Sequence, residues 1–274
     1  MGTGSYSNAL ELAAKNGRVL MCQYCGEESI AIGSVGICSN CELPVSMEKE
    51  ALQSNATAFA GISKVKELLE GNDYEGAAAE YNAMYKSGND PSYLYAEALL
   101  RIKQSNSQTA GIRYDRKGFM EENAAFRDNA AKLASMARGL LNDTINACAK
   151  QINEQRPPLG MVYLAFLCHM KLSNLREAGV LLQTIEGIDS VYIGAYSRMM
   201  LDLNLHRPES VILGAERLLK PGSFSINALF YIAVALFDMK KYKEAKNIIG
   251  TLQPHLQNGQ TMALASEIEA AMLI

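Results

Sequence analysis

Lys241-Tyr242-Lys243-Glu244-Ala245 has two relatives in this 274-residue chain, Asn174-Leu175-Arg176-Glu177-Ala178 and Asp73-Tyr74-Glu75-Gly76-Ala77. Each sets a large apolar residue (Tyr242, Leu175, Tyr74) three positions before a small alanine. Four residues beyond the alanine stands Ile249, Leu182 or Tyr81, and seven beyond it Leu252, Ile185 or Met84. Offsets of 0, 4 and 7 fall on one face of an α-helix, so these segments predict amphipathic helices. The alanine marks where a neighbouring helix crosses closely. A fourth copy is Pro208-Glu209-Ser210-Val211, followed by Ala215 and Leu218. Its spacing is 211 − 178 = 33 residues on one side and 245 − 211 = 34 on the other.

Working outward, Ala, Leu, Glu, Lys and Met dominate from Met47 to the end of the chain, and helical periodicity runs with them. A polar, irregular insertion at about 104–118 interrupts it. Residues 119–155 then read as helix throughout, with weak points at Gly139 and Asn142-Asp143, and are expected to form one kinked helix. A period of 34 with two antiparallel helices per unit is that of the tetratricopeptide repeat, and the chain resembles that family over about 55–256. The resemblance is best over 226–256. There Leu229, Ile232, Ala233 and Leu236 match the first helix, Ala245 the small second-helix position, and Ile249 and Leu252 its packing residues. The family's frequent terminal proline is missing, Pro254 standing three residues away, and the middle of the chain does not keep the period. The resemblance implies a mainly α solenoid of helical hairpins. Its first helices, at 93–103, 160–171, 194–204 and 226–239, would line a concave surface for an extended peptide or a partner's helix.

The N-terminal part reads differently. Cys22-Gln23-Tyr24-Cys25-Gly26 and Cys38-Ser39-Asn40-Cys41 make C-x2-C-x12-C-x2-C. Two cysteines three apart in a tight turn place both sulfurs on one ion, and two such turns joined by a hairpin complete a tetrahedron. Short apolar runs at 19–21, 30–32 and 35–37 predict strands around these turns. Gly26 suits a turn that needs φ > 0, whereas Glu42 at the matching place predicts a differently closed second turn. The pattern resembles a zinc ribbon over 18–45. Cys22, Cys25, Cys38 and Cys41 would hold one Zn²⁺, and with all four positions thiolate the ion would be structural rather than catalytic. The competing reading is a redox dithiol pair. The three histidines, His169, His206 and His255, all lie far along the chain.

Hydrophobic residues at 49% and charged residues at 20% predict a globular protein, and a net charge of −3 gives no general pull toward nucleic acid. The longest apolar run, 228–237, is too short for a bilayer. The first fifteen residues carry no basic leader ahead of an apolar run, which predicts a cytoplasmic protein. Cys148 and Cys168 sit in apolar helical surroundings and are expected to be buried and inert. His169 next to Cys168 points about 100° away on a helix, so the two do not read as nucleophile and base. No phosphate-binding, dinucleotide-binding, metalloprotease or nucleophile-elbow motif occurs, so no enzyme is expected. Arg101, Lys103, Arg113, Arg116 and Lys117 less Asp115 give the 101–118 tract a charge of +4. That marks Arg113, Tyr114, Arg116 and Lys117 as candidate contacts to an acidic partner, the bland alternative being a solvated connector. The organisation expected is therefore a leading helix or tail (1–17), a zinc ribbon (18–46) and a helical-repeat domain (47–274). Together they read as a non-catalytic adaptor for a protein or peptide. A nucleic-acid- or ribosome-associated factor is the alternative, disfavoured by the ribbon's Glu27, Glu28 and Glu42 against a lone Arg18.

Overall fold

Helix follows helix after two short pairs of strands in the computed structural model, which describes residues 18–31, 35–46, 56–110, 119–219, 226–253 and 259–273. The leading helix expected over 1–17 lies outside these residues. Strand β1 (Arg18–Met21) pairs antiparallel with β2 (Glu28–Ala31), Val19 facing Ile30. Strand β3 (Val35–Ile37) pairs antiparallel with β4 (Pro44–Ser46), Ile37 facing Pro44. β4 was not anticipated, because proline lacks the donor that a central strand needs. It is tolerated here because each sheet has only two strands, so Pro44 stands on an edge.

The helices are α1 (Ala56–Glu70), α2 (Tyr74–Gly88), α3 (Ser92–Ala110), α4 (Phe119–Ile152), α5 (Leu159–Lys171), α6 (Leu175–Ile188), α7 (Ile193–Asn204), α8 (Pro208–Arg217), α9 (Ile226–Asp238), α10 (Tyr242–Leu252) and α11 (Gly259–Met272). Among the described residues after Met47 there is no strand. The chain divides into two compact units, one of residues 1–22, 27–54 and 174–274 and one of 23–26 and 55–173.

In the unit formed by 23–26 and 55–173, α1 packs on α2, α2 on α3, α3 on α4 and α4 on α5. Ile62, Val65, Ala77, Tyr81, Met84, Tyr93 and Leu100 share one apolar core. The Asp73 carboxylate accepts the Gly76 N–H at 2.9 Å and caps α2. One expectation changes and one holds. α3 continues through Ala110, so residues 104–110 of the expected irregular insertion are helical. α4 runs unbroken through Gly139 and Asn142-Asp143 as one helix of 34 residues. Its alanines, leucines and arginines are strong helix formers and outweigh one glycine at about 1 kcal/mol.

The other unit holds β1 to β4 and α6 to α11. Consecutive helices pack together, and α9 also touches α7 and α11. The Asp189 carboxylate accepts the N–H groups of Val191, Tyr192 and Ile193 at 3.0–3.1 Å, satisfying amides that precede or open α7. Gly194 follows at once, and a Cβ there would lie 2.3 Å from the Asp189 carbonyl oxygen, a backbone atom that cannot swing aside. Gly194→Ala is expected to lower unfolding free energy by about 1–3 kcal/mol, the range for overpacking. An unchanged urea midpoint would show that this turn yields freely.

Four of the turns between helices share one backbone conformation. Asn72, Ser173, His206 and Lys240 all take positive φ, between 53° and 61°, at the turn joining two helices. Each N–H bonds to the carbonyl three residues back, Asn72 to Leu69, Ser173 to Met170, His206 to Leu203 and Lys240 to Phe237. Five residues after each comes Ala77, Ala178, Val211 or Ala245, and all four are 0% exposed. The +4 and +7 partners are buried as well (Tyr81, Leu182, Ala215, Ile249; Met84, Ile185, Leu218, Leu252). Within one unit, as at Asn72, His206 and Lys240, a turn that closes on the left-handed conformation sets the entry angle of the next helix.

Candidate metal centre

β1 leads into Cys22 and β3 into Cys38, and the two cysteine turns are built alike. The Cys22 N–H donates to the Glu27 carbonyl at 2.8 Å, and the Cys38 N–H to the Leu43 carbonyl at 2.9 Å. Four residues after its first cysteine each turn passes through the left-handed region, at Gly26 (φ 74°) and at Glu42 (φ 64°). The different closure expected for the second turn does not occur. Glu42 adopts the conformation that glycine takes freely, at a cost of roughly 1–2 kcal/mol for a residue with a Cβ. Gly26 has a second reason to be glycine, since a Cβ there would come within 3.1 Å of the Ile62 side chain.

The four sulfurs lie within 4.8 Å of one another. Zn–S bonds of about 2.3 Å in a tetrahedron put sulfurs about 3.8 Å apart. Cys22 Sγ and Cys41 Sγ are 3.6 Å apart, so the donor set fits one ion with little adjustment. Cys22, Cys38 and Cys41 are at most 1% exposed, and Cys25 is partly buried. The Asn40 N–H approaches Cys38 Sγ at 3.4 Å, aimed to stabilise charge on that sulfur. Among the described residues no histidine or carboxylate joins the cluster, so the geometry offers four sulfur ligands.

Within the same unit, the second turn rests on α7 and α9. Asn227 Nδ2 donates to the Cys38 carbonyl at 3.3 Å and to Tyr196 Oη at 3.2 Å. Tyr231 Oη donates to Glu42 Oε1 at 2.7 Å. The Tyr196 and Tyr231 rings meet edge-to-face, centroids 5.8 Å apart. Burial, and next the nearby Glu42 charge, push both phenols well above their ordinary pKa, so they stay protonated donors.

No family model matches the chain, and neither the curated proteins nor the solved structures provide a match.

The remaining sequence candidates divide. Arg113, Tyr114, Arg116 and Lys117 lie outside the described residues. Arg101 belonged to the same basic tract but is only 3% exposed and is clamped on the Glu75 carboxylate, Nη2 to Oε2 at 2.8 Å. Its guanidinium holds the Glu75 carboxyl below the usual range. Without Arg101 the net charge of the tract falls to 4 − 1 = +3. Cys148 and Cys168 are both buried; burial pushes the Cys148 thiol up to about 12 and the Cys168 thiol up as well, opposite to an activated nucleophile. Sequence reasoning missed Tyr196, Asn227 and Tyr231, reading α7 and α9 as repeat helices that pack on their neighbours and face a partner. The available signals were a glutamate where the first turn has glycine, and an amide opening an otherwise apolar helix.

Proposed function

We propose that this chain is a non-catalytic adaptor in which tetratricopeptide-like helical hairpins present a surface to a protein or peptide, with one structural Zn²⁺ holding the ribbon. The observation that carries the reading is the fourfold recurrence of a left-handed turn followed five residues later by a fully buried residue, alanine in three cases and valine in the fourth. That recurrence is what a stack of equivalent hairpins requires, and stacked hairpins serve chiefly as extended binding surfaces. The thiol evidence is consistent with it, since the two cysteines outside the cluster are buried and raised in pKa. Four sulfurs at tetrahedral spacing suit zinc above harder ions, which prefer oxygen. Among the described residues no helix is long and apolar enough to cross a membrane.

The partner is taken to be acidic, drawn by Lys103, Arg113, Arg116 and Lys117, with charge setting the association rate and apolar contacts the dwell time. The test is affinity capture from native lysate with quantitative mass spectrometry, followed by binding of the captured protein to wild type and to Arg113→Glu/Arg116→Glu/Lys117→Glu. The triple exchange is expected to weaken binding about tenfold or more at low salt and to leave thermal stability unchanged. Unchanged affinity at low ionic strength would reduce the tract to a connector. Nucleic acid as the captured partner, with affinity falling steeply as salt rises, would favour the ribosome- or nucleic-acid-associated reading instead.

A further inference from the structure

Glu42 pays a backbone penalty that its counterpart Gly26 avoids, so its side chain must return something. Glu42 Oε1 receives the Tyr231 hydroxyl at 2.7 Å, across 189 residues of sequence. Asn227 fits the same logic. It is 5% exposed, its amide N–H is spent on the Cys38 carbonyl, and its own Oδ1 is buried with no hydrogen-bond partner among the described residues. An amide is a costly choice for an apolar helix face unless its N–H is needed. The Cys38 carbonyl can only accept, so the nitrogen must face it. Both contacts converge on the turn that supplies Cys38 and Cys41.

We infer that Asn227 and Tyr231 of α9 are positioning residues of the metal centre. They latch the Cys38–Cys41 turn through the Cys38 carbonyl and the Glu42 carboxylate, so that metal loading and the packing of α9 are one linked equilibrium. A turn held in place before the ion arrives loses less freedom on binding, and partners that orient ligands raise metal affinity about 10–100-fold. Linkage is reciprocal, so the ion must steady α9 by the same factor. The inference rests on the four cysteines holding a metal, not on the adaptor reading.

The experiment measures zinc retention by the full chain against a chromophoric chelator, for wild type, Tyr231→Phe, Glu42→Gly and the double variant. Glu42→Gly decides the sign. Were the turn self-sufficient, glycine would relieve the positive φ and zinc would bind as tightly or more tightly. The latch predicts weaker retention by about tenfold or more in Glu42→Gly and in Tyr231→Phe. The double variant should be little worse than either single one, because both remove the same hydrogen bond. Hydrogen exchange on wild type alone gives a second reading that needs no variant to fold. Amides of 227–231 are expected to exchange faster once zinc is stripped. Tighter or unchanged zinc binding in Glu42→Gly, or exchange at 227–231 indifferent to zinc, would overturn the latch. A wild-type chain that binds no zinc would overturn the metal reading itself, and the latch with it.

Discussion

Cys38→Ser is expected to abolish stoichiometric metal binding and to unfold residues 18–46, while most of the helical circular-dichroism signal survives. The apolar core of this segment's own side chains is small. Besides the cysteines, its buried apolar side chains among the described residues are Ile37, Leu43 and Val45. Two sheets of two short strands are not stable alone in water. Metal binding by comparable small domains contributes about 10–16 kcal/mol, and where no apo fold exists that binding energy is the folding energy. Serine offers a neutral hydroxyl in place of a thiolate and also loses the charged acceptor at which the Asn40 N–H is aimed. The check is metal analysis together with hydrogen exchange over 18–46. A Cys38→Ser chain that keeps one equivalent of zinc and a protected ribbon would show that Cys38 is not a ligand.

The second large effect lies in the helices. Ala178 is 0% exposed, and the residues above it on the same face, Leu182 and Ile185, are 0% exposed too. Ala178→Leu therefore has no solvent to enter and must push a neighbouring helix away, at about 1–3 kcal/mol or more. The adjacent residue supplies the contrast. A Cβ on Gly179 would meet only Leu201 Cδ2, at an ordinary 3.9 Å. Gly179→Ala is thus expected to be neutral or to stabilise by up to about 1 kcal/mol through helix propensity. Chemical denaturation of the two variants side by side measures the difference. Equal midpoints would mean that the small-residue position does not mark a close crossing.

The helices were legible because their code is local and periodic. Ala77, Ala178 and Ala245 announce a buried stripe at fixed offsets, and no distant residue is needed to read it. The cysteine cluster was legible for a related reason, since C-x2-C spacing already brings two sulfurs together. Gly26 was read correctly, because φ > 0 is cheap there. β4 was hidden by Pro44, whose usual meaning changes on an edge strand. The end of α3 was hidden by the polar run Gln104-Ser105-Asn106-Ser107-Gln108, which loops and exposed helix turns share as a composition. Ser105 is nevertheless tied down, its hydroxyl donating to the Ala130 carbonyl of α4 at 2.9 Å. Arg101 looked like a free cation because nothing local reveals its ion pair with Glu75, 26 residues earlier. The latch on Glu42 was out of reach for the same reason. A hydrogen bond spanning 189 residues leaves only one trace in the sequence, a glutamate where a glycine would be easier.

The most direct test of the four-thiolate centre is the metal content of the full chain purified without chelator, combined with a count of reactive thiols. One zinc per chain is expected, with Cys22, Cys25, Cys38 and Cys41 becoming reactive only after chelation and Cys148 and Cys168 staying silent until the helices unfold. A native, reduced chain carrying no zinc, with all four ribbon thiols reactive from the start, would contradict it.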